Sequence, residues 1–379
     1  MAFVLRGGTV WDGRSDTASE AAVAVDSVIA GSAGAGENID ISGCTVVPGL
    51  MEAHAHLCFN GEPNWRQVYD ADSPVRMALR MAGNGRTMLE AGITTVRDLG
   101  APTATSIEVR DAFAKGLVAG PDLLVAGAPI TTTGGHCHFM GGEADGELEV
   151  RRAVRERVKA GCDWIKVMAT GGNMTRGTNT LAAQYTVPEL RACIEEAHRL
   201  RLRVAAHCHG TAGIRAAVEA GVDMLEHCSF TGEGRIDFDP AVVEAIAAKG
   251  IIVSPTVSIG WRKWADDGLR RARADALKTM CARGCKVIMS TDCGIPGVPH
   301  AALAGALDVL SEYAAMPPVE TLKLATSRAA ELLDLPDRGV IAEGKRADLL
   351  VVEGDPLSDL LALQRVRLVV KAGEIVFRR

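Results

Sequence analysis

The chain repeats one local grammar eight times: a short apolar run, a cluster of glycine and polar residues, then a longer stretch with helical spacing. The runs are VVPGLMEAHAHL, ITTVRDLG, DLLVAGAP, WIKVMATGG, RVAAHCHG, DMLEHCSF, IIVSPTV and KVIMSTDCG. Between them, stretches such as PVRMALRMAGNGRTMLEAG, VPELRACIEEAHRL, TAGIRAAVEAG and DPAVVEAIAAKG place apolar residues near i, i+3, i+4 and i+7. Thr186 with Glu189 makes a capping box, Asp239 precedes Pro240 at a first helical turn, and Gly92, Gly161, Gly221 and Gly250 stand where helices stop. Strand, helix and glycine in this order predict parallel strands joined by helical crossovers, and eight is the number that closes a parallel barrel.

At 379 residues the chain exceeds the about 250 that such a barrel needs. The surplus lies at its ends. Residues 1–47 alternate apolar stretches (FVLRGGTV, AAVAVDSVIAG, GCTVVPG) with Gly and Asp, and 347–377 has the same texture of β-branched runs broken by Gly-Asp-Pro and Ala-Gly. The expected architecture is therefore α/β: a (β/α)8 TIM barrel over 49–337 and a small β-sandwich shared by segments 1–48 and 338–379. The glycine-rich GSAGAG at 31–36 has neither a following helix nor Lys-Ser/Thr, so a phosphate loop is rejected.

Composition narrows the function. Hydrophobic residues make up 47% and charged residues 23%, enough for a sizeable core. The net charge of -6 comes from interspersed acids and bases, and the densest basic stretch, RRAVRERVKA at 151–160, reads as a solvated helix face. Nucleic acid and membrane partners are not expected. Signal-peptide and membrane-spanning patterns are missing from the sequence, and ten cysteines without a CxxC pair suit a reducing compartment, so the expected location is cytoplasmic.

Metal-type ligands sit at the C-terminal ends of the apolar runs. His54 and His56 alternate with alanines, so both imidazoles face one side of a strand. His207, His227 and Asp292 each end a different run. Lys166 lies inside an apolar run, where an ammonium group is costly: either it reaches solvent at the strand end, or its amine is chemically altered. One such residue is weak evidence, but a barrel collects the ends of its strands at one mouth.

GLMEAHAHL, DWIKVMATGG, AHCHG, EHCSF and STDCG resemble the metal motifs of the amidohydrolase superfamily. The chain is most similar to the imidazolonepropionase-like and prolidase-like (Xaa-Pro, Xaa-Arg dipeptidase) branch, over nearly its whole length, including ATSRAAELLDLPDRGVIAEGKRADLLVVEGDP. The resemblance implies two divalent ions, Zn by default with Mn, Co or Fe as alternatives: His54, His56 and Asp292 on one, His207 and His227 on the other, and an N6-carboxylated Lys166 between them. It implies Asp292 as general acid and base in cleaving an amide bond of a small-molecule substrate, a dipeptide or an N-acyl amino acid. The alternatives are a mononuclear imidazolonepropionase-like cyclic amide hydrolase or deaminase, and a lactonase or organophosphate-type hydrolase. A homo-oligomer is expected.

For the substrate, the family pattern points to His136 in TTTGGHCHFMGG and Tyr185 before the helix after the fourth strand, and His300 in GIPGVPH is expected to line the pocket from the eighth loop. His138, His209 and Arg176 are weaker candidates, with Arg176 read as exposed and His209 as lying past its strand end. Cys208, Cys228 and Cys293 point away from the ligands and are read as packing residues; His198 is read as an outer-face helix residue. EHCSF and STDCG carry Cys where Gly or Ala is commoner among the relatives, so substrate preference is where departure is expected.

Overall fold

The computed structural model describes residues 2–31, 36–263 and 265–379; positions 32–35 of the GSAGAG segment lie outside the described residues. All eight apolar runs are strands: β1 (Leu50–Ala55), β2 (Ile93–Asp98), β3 (Asp122–Val125), β4 (Ile165–Met168), β5 (Val204–Gly210), β6 (Met224–Gly232), β7 (Ile252–Ser254) and β8 (Lys286–Val287). They pair in parallel in the orders β3-β2-β1 and β4-β5-β6-β7-β8. Isolated parallel bridges span both gaps between these sheets, Ile130 with Val167 and Ala55 with Cys293. Across them the Ile130 amide donates to the Lys166 carbonyl and the His56 amide to the Cys293 carbonyl, each at 2.8 Å.

The strands are rich in apolar residues because both faces are covered. Every residue of β4 is buried, the lysine included. A helix follows each strand: Pro74–Glu90, Thr103–Ala114, Gly146–Ala160, Val187–Arg199, Thr211–Ala220, Pro240–Lys249, Asp267–Ala282 and Leu303–Ala314. Local chemistry sets their ends as expected. Thr186 and Glu189 close a capping box, Asp239 caps the helix that begins with Pro240, and Gly161, Gly221 and Gly250 end helices in the left-handed conformation. Cys208, Cys228 and Cys293 are buried within the main core, and His198 is exposed and bonded to Asp223. No helix is long and apolar enough to cross a membrane among the described residues.

The two ends of the chain come together. Cys44–Pro48 pairs antiparallel with Leu349–Glu353 inside a six-stranded sheet. A four-stranded sheet is made wholly of N-terminal strands. Phe3, Leu5, Val25 and Ile39 of the smaller sheet share one apolar cluster with Val46, Leu349, Val351 and Leu368 of the larger. From that sheet the chain passes through Gly49 directly into β1. A side chain there would strike Thr94, which is why glycine stands at the junction.

Candidate metal centre and its cavity

His54 and His56 come from the end of β1, and their Nε2 atoms lie 3.3 and 3.2 Å from Oδ1 of Asp292, which follows β8. His207 and His209 belong to β5 and His227 to β6, and their ligand atoms lie within 4.8 Å of one another. Placement of His209 past the strand end is corrected: a register shift between Cys208 and Gly210 carries β5 two residues farther, and His209 stands beside His207 and His227. His227, Thr256 and Asp292 all have φ between 49 and 64°. Three non-glycine residues in the left-handed region at adjacent strand ends are backbone strain concentrated at one mouth.

The surroundings fix which nitrogen of each ring is free. His54 donates through Nδ1 to Glu226 at 2.8 Å, and Glu226 is itself held by Arg97 at 2.9 Å. His56 donates through Nδ1 to the Gly100 carbonyl at 3.0 Å, and His207 through Nε2 to the Gly171 carbonyl at 3.1 Å. Thr256 gives its proton to the Pro255 carbonyl, so its oxygen accepts from His227 Nδ1 at 2.8 Å. The remaining lone pairs, Nε2 of His54, His56 and His227 and Nδ1 of His207, all turn inward. His207 Nδ1 and His227 Nε2 stand 2.9 Å apart with no proton left to place between them. Two facing lone pairs repel unless a cation lies beside them, so the donor set fits a divalent metal.

Burial tunes the same groups. It pushes His54 and His136 down to about 4 and His209 to about 3, with Lys166 adding to the effect on His54 and His136. His207 and His227 lie well below the ordinary imidazole value, also through burial. Neutral imidazoles are the form that binds metal. Burial also lowers Lys166, against the pull of Glu226 and Asp292. Its Nζ is buried and meets no hydrogen-bond partner among the described residues. For Asp292 burial opposes ionisation, but His54 and His56 override it and hold the carboxyl below its usual range.

These residues line one cavity of about 630 Å³. His136 lines it too: its ring lies 4.6 Å from that of His207, and Gly172 passes so close to Nε2 that a side chain there would clash. Gln184 holds the His136 amide at 2.7 Å. Tyr185 and His300, expected to meet the substrate, do not line the cavity. The Tyr185 hydroxyl is committed to the Ala144 carbonyl at 2.7 Å, and His300 Nε2 donates to the His56 carbonyl at 3.2 Å, supporting the end of β1. Arg176 is exposed, and it and His138 also lie outside the lining. Arg273, which the sequence reading passed over, is a lining residue.

A fold of this kind, with histidines, a buried lysine and an aspartate at the strand ends, defines a class of hydrolases. The chain belongs to the amidohydrolase family, whose model matches residues 45–376, and it is a hydrolase acting on carbon–nitrogen bonds. Ochratoxinase of Aspergillus niger is 31% identical over 378 residues, covering 87% of this chain and 75% of that protein. A Xaa-Pro dipeptidase with bound methionine in its active site superposes with a TM-score of 0.89 at 27% identity, over 100% of both chains. A prolidase complexed with N-methylphosphonate-L-proline gives 0.87 at 28% identity, again over 100% of both.

Proposed function

We propose that the chain is a binuclear metal hydrolase that cleaves the amide bond of a small substrate, a dipeptide or an N-acyl amino acid, and acts as a homo-oligomer in the cytoplasm without nucleic-acid or membrane partners. In this reading residues 49–337 close as a (β/α)8 barrel, and 1–48 and 338–379 form a β-sandwich beside it. The observation that carries it is Lys166: a buried amine with no partner, in the cavity that both histidine groups line. Burial favours its neutral form, whose lone pair attacks carbon dioxide; the nitrogen loses one proton and becomes a carbamate whose single negative charge is shared by two oxygens. His54, His56 and Asp292 would hold one ion, and His207 and His227 a second, with the carbamate reaching both.

Divalent ions bound there, zinc by default and manganese, cobalt or iron as alternatives, supply a water of lowered pKa and a Lewis acid for the carbonyl. The chain's own groups do the rest. Asp292 is ionised at working pH, takes a proton at its carboxylate and returns it to the leaving nitrogen. His136, neutral and held by Gln184, meets the substrate from beside His207. His54, Lys166, His207 and His227 are buried in the cavity wall, which strengthens each polar contact there.

The reading is tested by metal analysis of the purified protein. Two ions per chain are expected in wild type; Lys166→Ala should lose metal and all measurable turnover while keeping its circular dichroism. Unchanged stoichiometry in the variant would sink the binuclear reading.

A further inference from the structure

Arg273 lies on helix Asp267–Ala282 and is 7% exposed. Its Nη2 donates to the carbonyl of His227 at 3.2 Å, and its guanidinium lies 5.0 Å from the centre of the Trp261 ring. That one bond uses one of five N–H groups, and Arg273 has no carboxylate partner among the described residues. A buried guanidinium without a counter-ion is costly in a structure built for stability alone. Stacking on Trp261 and the bond to His227 would hold it in place without neutralising it. It lines the cavity directly beside a metal-type ligand.

The charges around it agree. Lys166, Lys263 and Arg273 line the cavity, and Asp292, already facing His54 and His56, is the single carboxylate among the described lining residues. Beside Arg273 the wall is apolar: Leu269 one turn earlier on the same helix, Trp261 and Ile259 from the segment after β7, and Ile236 from the short strand paired with β6. A guanidinium keeps its charge at neutral pH.

We propose that Arg273 is the specificity-determining clamp for a substrate carboxylate, and that the substrate carries a bulky apolar group next to that carboxylate on the leaving-amine side. This rests on the amide-hydrolase reading above and deepens it. Paired N–H groups of a guanidinium match the two oxygens of a carboxylate, which makes the contact both strong and directional.

The test uses matched pairs: N-acyl-phenylalanines and Xaa-Phe dipeptides against the same amides of 2-phenylethylamine, which lack only the carboxylate. Wild type should prefer the acids by about a hundredfold in kcat/KM, and Arg273→Met should abolish that preference, with Arg273→Lys in between and metal content unchanged in both. Equal rates for acid and decarboxylated substrates in wild type, a result that needs no variant to fold, would overturn the proposal. So would a preference retained in Arg273→Met. If wild type cleaves neither set, the amide-hydrolase reading fails instead, and calorimetric titration with N-acetyl-phenylalanine then decides the clamp by itself: equal affinity in wild type and Arg273→Met rules it out.

Discussion

At the C-terminal ends of the strands Lys166 lies buried without an acceptor and Arg273 without a counter-ion, whereas at the opposite end Asp122, the first residue of β3, is met from three directions. Arg338 approaches Asp122 at 2.7 Å and Lys371 at 3.2 Å, and Arg346 bonds to both of its oxygens. These three cations come from the segment that returns to the terminal sheets and from one of their strands, so the cluster ties β3 to those sheets. Both ends bury charge, but only one matches it. Buried polar atoms without a hydrogen-bond partner cost about 1–3 kcal/mol each and occur at both ends: Arg346 Nε and Asp348 Oδ2 beside the Asp122 cluster, and Lys166 Nζ, His136 Nδ1 and Asp292 Oδ1 at the other. Only the second set stands among metal-type ligands, where a ligand would supply the missing partner. Matched groups at the other end mark architecture.

The comparison is broken most directly at Asp292. Asp292→Asn keeps the shape but removes the proton acceptor, and kcat should fall by about 10² to 10⁴ with the melting temperature nearly unchanged. A rate within tenfold of wild type would remove Asp292 from its proposed role. Asp122→Asn should do the reverse. Leaving Arg338 and Arg346 facing a neutral amide should cost about 2 kcal/mol and lower the melting temperature by a few degrees, while kcat/KM stays within about twofold. A large loss of activity without a loss of stability in Asp122→Asn would undo the division between the two ends.

Much of this layout was legible in the sequence, and the misses have physical causes. The eight runs and the ligands at their ends could be read because a strand buried on both faces is a nearly continuous apolar run, in which His54, Lys166 or His227 stands out. His209 was discounted because a bulge is not visible in residue letters, although HCH in β5 repeats the spacing of HAH in β1. Arg273 was hidden in RRARAD, which reads as a solvated face. The signal was there: Arg273, Leu277 and Met280 follow helical spacing and are all buried, while Arg271 is exposed. Tyr185 and His300 lie outside the cavity lining for another reason. Proximity to the site along the chain does not fix where a side chain points, and each is turned aside by a backbone carbonyl, of Ala144 and of His56.

Acid separates the two ends by titration window in the metal-free chain. His54 and His136, held at about 4, and His209, at about 3, remain neutral in the folded protein well below the ordinary imidazole value of 6.5. In the unfolded chain they take up protons near 6.5, so between about pH 6.5 and 4 the unfolded state binds more protons and stability falls as pH falls. His56 runs the other way, since Asp292 raises it against the effect of burial, but it is outnumbered. Burial raises the Asp122 carboxyl, yet Arg346 and Arg338 bring it below its ordinary 3.8, so its contribution is complete above that value and disappears only below it. Melting curves of wild type and Asp122→Asn should therefore descend in parallel from pH 6.5 to 4 and converge only at more acid pH. Convergence already between 6.5 and 4 would mean that Asp122 and the histidines titrate as one system, and that the matched and unmatched ends are not independent.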